Sequence, residues 1–220
     1  MIKVLDYTKT PITHIGKIAG VCYNSDIEDD TKNYERGIKN LENNHGRVFE
    51  YADVTIEIDE YSARAIRELY THIIGTSRLQ ASTRYIAYNK NNFQYYVPAS
   101  LYKNEDALYT YVDTMDTILE NYNSLLELGI SKEDSANILP LGLFSKVVLK
   151  INLRALIHLA EMRLCKRAYE EIRNMVREIM TEVGALDNEW GYLMAKYMQS
   201  KCKTCTEKEN CPKGKENEWV

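Results

Sequence analysis

The densest run of chemistry-bearing residues is His72-Ile73-Ile74-Gly75-Thr76-Ser77-Arg78-Leu79-Gln80-Ala81-Ser82-Thr83-Arg84-Tyr85. It sets Arg78 and Arg84 among the hydroxyls of Ser77, Ser82 and Thr83 and the amide of Gln80. Guanidinium forks pair bidentately with phosphate, and hydroxyls complete such a cradle. The run therefore reads either as a binding loop for an anionic ligand or as a solvated surface loop. A second concentration lies near the C-terminus, where Cys202-x-x-Cys205 is followed by five residues and Cys211. Thiolates at such spacing bind Zn²⁺ or anchor an iron–sulfur cluster, and a closed site needs a fourth ligand. Cys165 is the candidate, with the tail folding back over the helix that carries it. A reduced, disordered tail and a disulfide are the other readings. Cys22 lies amid apolar residues and is expected to pack in the core.

Composition bounds the partners. The chain has 220 residues, 45% hydrophobic and 27% charged, with a net charge of −4. A sizeable core is within reach, and neither a wholly disordered chain nor a strongly basic nucleic-acid coat protein fits. No nucleic-acid polymer is expected as a partner. The first residues lack the apolar run of a signal peptide, and no stretch approaches the ~18 apolar residues of a membrane span. The chain reads as cytoplasmic, where clustered thiols suggest metal or redox chemistry before disulfide staples. Tyr outnumbers Phe by 17 to 3.

Ordered blocks along the chain resemble the flavin-dependent thymidylate synthases. Their signature is Arg-His-Arg, seven residues, then Ser, with Arg-Tyr one residue later. Ser82-Thr83-Arg84-Tyr85 matches its second half, and His72-Ile73-Ile74 stands opposite Arg-His-Arg. Upstream, His45-Gly46-Arg47-Val48-Phe49-Glu50 is similar to the family's His-Gly-x-x-x-Glu element. Downstream, Phe93 to Pro98, Leu139-Pro140-Leu141, Asn152-Leu153-Arg154 and Met162-Arg163 resemble successive family blocks. The resemblance runs from about Ile2 to Trp190.

The resemblance implies a homotetramer with active sites at subunit interfaces. It implies FAD as cofactor, dUMP as substrate, methylenetetrahydrofolate as one-carbon donor, NADPH as reductant and dTMP as product. Ser82 would touch dUMP near the uracil, with Gln80 beside it, and Arg84 would hold the nucleotide phosphate. Arg163 would bond a uracil carbonyl, withdrawing electron density as negative charge develops. Asn152 and Arg154 would lie near flavin and nucleotide. His45 and Glu50 would help hold FAD, and His72 would approach it. The chain departs from the family at Ile73 and Ile74, and at Ala136, where the family often has a phosphate-binding Arg. Arg78 is expected to supply part of the missing charge, with Arg47 or Arg64 as alternatives. A flavin- and folate-dependent pyrimidine hydroxymethyltransferase is a second reading. A non-catalytic flavin- or nucleotide-binding protein with a metal- or redox-sensing Cys tail is a third.

These residues need elements to position them. Met1 to Tyr7 and Val54 to Ile58 read as strands, the latter by strict alternation. Further strands are expected at Phe93–Val97 and Lys146–Ile151. Helices are expected at Ile12–Cys22, Thr31–Asn43 with Thr31 as N-cap, Tyr61–Ile74, Asn104–Leu128 with Asn104 as cap, Asn152–Arg163, Lys166–Val183 and Trp190–Met198, with a short one opened by Ser131. The segment Thr76 to Tyr85 is expected to be irregular. His158, on an apolar helix, reads first as a core histidine. The fold class is α+β, a small, mainly antiparallel sheet packed with long helices. Residues 1–200 read as one domain and 201–220 as a Cys-containing tail.

Overall fold

In the computed structural model, which describes residues 1–211, the chain runs β1 (Ile2–Tyr7), α1 (Pro11–Cys22), α2 (Asp30–Glu42), β2 (Asp53–Ile58), α3 (Ala63–Leu69), β3 (Thr76–Gln80), α4 (Glu105–Glu127), α5 (Lys132–Ser135), β4 (Val147–Asn152), α6 (Leu153–Arg163), α7 (Glu170–Gly184) and α8 (Asn188–Tyr197). It divides into two compact units. The larger comprises residues 2–57, 69–78 and 148 onward; the smaller comprises Met1, 58–68 and 79–147. The end of the expected Cys tail, residues 212–220, lies outside the described residues.

The strands form one sheet in the order β1-β2-β4-β3. In β2, buried Val54, Ile56 and Ile58 alternate with half-buried Asp53, Thr55 and Glu57, the period-2 pattern its sequence carries. Neighbouring strands run in opposite directions. Thr8 N–H bonds the Asp53 carbonyl, Leu153 N–H that of Ala52, and Asn152 N–H that of Gly75, so ends meet starts. The fold is α+β with a small antiparallel sheet, as the sequence predicts.

In the larger unit, α7 buries Ile172, Met175, Val176, Ile179 and Val183, an i, i+3, i+4, i+7 stripe. Each such side chain contributes about 1.5–3 kcal/mol on burial. Trp190 of α8 is fully buried, and its indole N–H donates to the Thr8 carbonyl at 2.9 Å. Helices α1 and α2 touch backbone to backbone, because a Cβ on Gly16 would overlap the Asn33 carbonyl and one on Gly37 that of Ile12. The cap of α2 is Asp29, not Thr31; its carboxylate accepts the Lys32 N–H. Cys22 is exposed, not core, because it ends α1 beyond the buried Ile15, Gly16 and Ala19 face.

The smaller unit is built on α4. Asn104 caps it by accepting the Ala107 N–H, as expected, and the helix buries Met115, Leu119 and Tyr122 against Tyr88, Phe93 and Leu143. Edge-to-face contacts link Tyr122 to Tyr88, Tyr88 to Phe93, Phe93 to Tyr95 and Tyr95 to Tyr111. The Tyr111 hydroxyl donates to the Tyr96 carbonyl at 2.8 Å. Part of the tyrosine excess is thus a connected aromatic core, in which the Tyr111 hydroxyl reaches a backbone acceptor and the buried Tyr122 hydroxyl has no hydrogen-bond partner among the described residues.

Three expectations change. Thr76–Gln80, expected to be irregular, is the edge strand β3, because β4 offers it an open backbone ladder. Phe93–Val97, expected to be a strand, makes only an isolated bridge at Tyr95, and Phe93 goes to the core. Helix α3 stops at Leu69 rather than Ile74, ahead of the β-branched residues Thr71, Ile73 and Ile74. Among the described residues, no helix is long and apolar enough to cross a membrane.

Candidate functional site

Helix α6 is the spine of the site in the larger unit. Asn152 ends β4 and caps α6, its Oδ1 accepting the Ala155 N–H at 2.9 Å. Leu153, Leu156, Leu159 and Ala160 are buried and fix the helix's orientation. Arg154, His158 and Glu161, spaced i, i+4, i+7, therefore share another face.

That stripe walls a cleft of about 910 Å³. The same cleft is lined by Asn152, by His45, Arg47 and Glu50 from the loop between α2 and β2, by Ile74 and Gly75 ahead of β3, and by Lys201. Arg154 Nη1 donates to Glu50 Oε1 at 2.6 Å, and Lys201 Nζ pairs with Glu161 Oε2 at 2.7 Å. Ile74 is 89% exposed there and brings no charge. Arg47 is exposed on the cleft and has no acidic partner among the described residues.

A second cavity of about 360 Å³ is lined by Thr71, His72, Ile73, Ile74, Ala155, His158, Met162 and Arg163. Arg163 Nε donates to His72 Nε2 at 3.0 Å, and its Nη2 donates to Thr71 Oγ1 at 2.7 Å. The rings of His72 and His158 meet edge to face, 5.6 Å between centroids. Burial, then the charges of Arg163 and His158, lower the His72 pKa from 6.5 to about 4. His72 is therefore neutral at neutral pH.

Arg78 turns elsewhere. Its Nη1 donates to the Tyr70 carbonyl at 2.6 Å, and its guanidinium lies 4.7 Å from the centre of the Tyr70 ring. Arg78, expected to supply the missing charge, is not among the residues that line the cleft, whereas Arg47 is. Arg64 belongs to the smaller unit.

Gln80, Ser82 and Arg84 also belong to the smaller unit. Gln80 Nε2 donates to Ser145 Oγ at 2.7 Å. Ser82 opens a turn after β3: its carbonyl accepts the N–H groups of Tyr85 and Ile86, and its hydroxyl accepts the Arg84 N–H at 3.3 Å. The Arg84 guanidinium is exposed and lies 5.5 Å from the centre of the Tyr85 ring.

A third cavity in the larger unit, about 590 Å³, is lined by Cys165, Cys202, Cys205 and Cys211 together with Arg163. The tail is tied back by Lys201 on Glu161 and by Arg167 on Glu207 at 2.6 Å. Cys165 and Cys202 are both half-buried in this cavity. Burial raises the Cys165 pKa; burial also opposes ionisation of Cys202, but hydrogen bonds involving Ser200, the Lys166 backbone and Cys165 bring its pKa down. All the cysteines are free, Cys205 exposed and Cys211 buried. Among the described residues, no three His, Cys, Asp or Glu side chains are gathered to hold a metal ion. The four thiols expected from the sequence as a ligand set all line this one cavity, with Cys165 and Cys202 half-buried.

His158 is exposed rather than a core histidine, and it lines both the cleft and the second cavity. Sequence reasoning also missed Glu161 and Lys201. The signal for His158 and Glu161 was present: polar residues at 154, 158 and 161 repeat at helical spacing beside the apolar set 153, 156, 159 and 160.

The sheet, the capped helix and the polar clefts along it define an α+β protein with a pocket of cofactor size, built without a glycine-rich phosphate loop. The chain matches the model of the family described as thymidylate synthase complementing protein over residues 3–187. It is 30% identical to a flavin-dependent thymidylate synthase of Pyrococcus abyssi, over 97% of this chain and 92% of that one. It is 28% identical to a flavin-dependent thymidylate synthase of Geobacter sulfurreducens, over 81% of this chain and 80% of the relative. The chain belongs to the flavin-dependent thymidylate synthase family. Its fold is like that of a Helicobacter pylori flavin-dependent thymidylate synthase complexed with FAD and dUMP, at a TM-score of 0.69 and 20% identity, covering 90% of this chain and 99% of the other. It is also like that of a UMP/dUMP methylase from Streptomyces cacaoi bound with 5-Br dUMP, at a TM-score of 0.71 and 19% identity, covering 90% and 95%.

Proposed function

We propose that the chain methylates dUMP to dTMP in a flavin-dependent reaction, with methylenetetrahydrofolate as one-carbon donor and NADPH as reductant. The balance is dUMP, methylenetetrahydrofolate, NADPH and a proton giving dTMP, tetrahydrofolate and NADP⁺. The carrying observation is the arrangement along α6, in a chain whose family match spans residues 3–187: capped Asn152, Arg154 on Glu50, and Arg163 held by its neighbours.

The cleft fits FAD. Its volume is in the range of cofactor sites. Its donors and acceptors suit a ligand with a polar ring edge and phosphates. His45, Glu50 and Asn152 hold the cofactor, and Arg47 supplies charge to its phosphates where Ile74 brings none. Bound flavin supplies the hydride that completes the methyl group. In the smaller unit, Gln80, Ser82 and Arg84 are nucleotide-binding residues, Arg84 for the phosphate; in the larger unit, Arg154 is one. Arg163 donates to a uracil carbonyl and stabilises the negative charge that develops there. The cysteine cavity has no step in this chemistry. The working form is a cytoplasmic homotetramer.

The test is product analysis. The purified chain, given FAD, dUMP, methylenetetrahydrofolate and NADPH, is expected to yield dTMP. Hydroxymethyl-dUMP as the product would establish the hydroxymethylating reading instead. A chain that binds no added FAD would overturn both.

A further inference from the structure

The tie between Arg163, His72 and Thr71 fixes two edges of one guanidinium from adjacent residues of the segment before β3. Arg carries only donors, so the His72 nitrogen that faces Arg163 Nε must present a lone pair. His72 is therefore the neutral tautomer with its proton on Nδ1. His72 stands at the first position of the family signature and presents an acceptor to Arg163 there. Both bonds have an ionised donor and are therefore of the stronger, charge-assisted kind.

We propose that His72 and Thr71 are positioning residues that hold the Arg163 guanidinium in one orientation for the pyrimidine carbonyl. The proposal rests on the role given to Arg163 above. Arg is a long side chain with many rotamers. Holding it before substrate arrives removes that ordering from the binding step and keeps its donors aimed. His72 need not touch the nucleotide to act in this way.

The experiment compares the FAD-loaded parent with His72→Ala, His72→Gln, Thr71→Val and Arg163→Ala. It measures kcat and KM for dUMP, the dUMP dissociation constant by calorimetry, and the ¹⁵N resonances of the His72 ring. His72→Ala is expected to lower kcat/KM by roughly 10- to 100-fold, the loss of one hydrogen bond to a charged group. His72→Gln, which returns an acceptor oxygen at the reach of Nε2, is expected to stay within about threefold of the parent. Thr71→Val changes an exposed residue, tests the same tie if His72→Ala does not fold, and is expected to lower kcat/KM by about 3- to 10-fold. The ring spectrum of the parent at neutral pH is expected to show a bare Nε2, and Arg163→Ala to shift it. An Nε2 that carries the proton overturns the proposal. So do His72→Ala and Thr71→Val chains that match the parent while Arg163→Ala is inactive. An Arg163→Ala chain with parental turnover overturns the role of Arg163 itself, and the positioning role with it.

Discussion

Gly75 passes over Asn152 with no room for a side chain: its φ is +75°, its carbonyl accepts the Asn152 N–H at 3.0 Å, and a Cβ would sit 2.7 Å from the Asn152 amide. Both residues line the cleft, and Asn152 also caps α6. The left-handed conformation and the close approach each call for glycine. Gly75→Ala is expected to lower stability by about 1–3 kcal/mol and to weaken FAD binding, because it displaces the capping amide. Denaturant unfolding and a flavin titration measure both. A variant with parental stability and affinity would show that the approach is not required.

Glu50 and Arg154 are both partly exposed, so their 2.6 Å pair contributes little to stability. Glu50→Gln is expected to change the unfolding free energy by less than about 1 kcal/mol. FAD binding is expected to weaken about 5- to 50-fold, as Arg154 loses its orienting partner. Equal losses in stability and affinity would mark the pair as structural.

Arg47→Ala is expected to weaken FAD binding by about 10-fold and to reduce its salt dependence, because a phosphate-pairing cation is removed from the cleft. Arg78→Ala is expected to bind FAD as the parent does, since its guanidinium is engaged at Tyr70. Flavin titrations at two ionic strengths separate the two arginines. The reverse pattern would return the anion role to Arg78.

His72 gives stability a pH dependence. Its pKa is about 4 in the folded chain against an ordinary 6.5. Between those values the unfolded chain binds a proton that the folded chain does not. The contribution is full above about pH 6.5 and is lost as pH falls towards 4. Melting temperatures recorded from pH 7 to pH 4 are expected to fall more steeply for the parent than for His72→Gln. Parallel curves would contradict the lowered pKa.

Cys165 and Cys202 are half-buried in one cavity, whereas Cys205 is exposed and Cys22 lies elsewhere. Mild treatment with a diazene oxidant is expected to form Cys165–Cys202 as the first intramolecular disulfide, read by peptide mass spectrometry. Cys202–Cys205 as the dominant product would contradict the arrangement of the tail.

Much of this architecture is legible in the residues, and the gaps have physical causes. The alternation at Val54, Ile56 and Ile58 and the caps at Asn104 and Ser131 are local signals, and they hold. β3 escapes local reasoning because its stability comes from pairing with β4, far along the chain. Phe93 to Val97 has strand-like residues, but its aromatic side chains are drawn into the core around Tyr88 and Tyr122. The signature run identifies the region of Ser82, Arg84 and His72, but spacing alone does not show where Arg78 points. His158 reads as apolar-helix filler until the stripe of Arg154, His158 and Glu161 is traced around the helix.

Methylation at carbon 5 of the uracil ring must displace the hydrogen there. The most direct measurement follows tritium from dUMP labelled at that carbon while the nucleotide product is identified. Release of tritium to water with matching formation of dTMP is expected, dependent on FAD, methylenetetrahydrofolate and NADPH and lost in Arg163→Ala. A chain that binds FAD and dUMP yet forms no dTMP under these conditions would contradict the account.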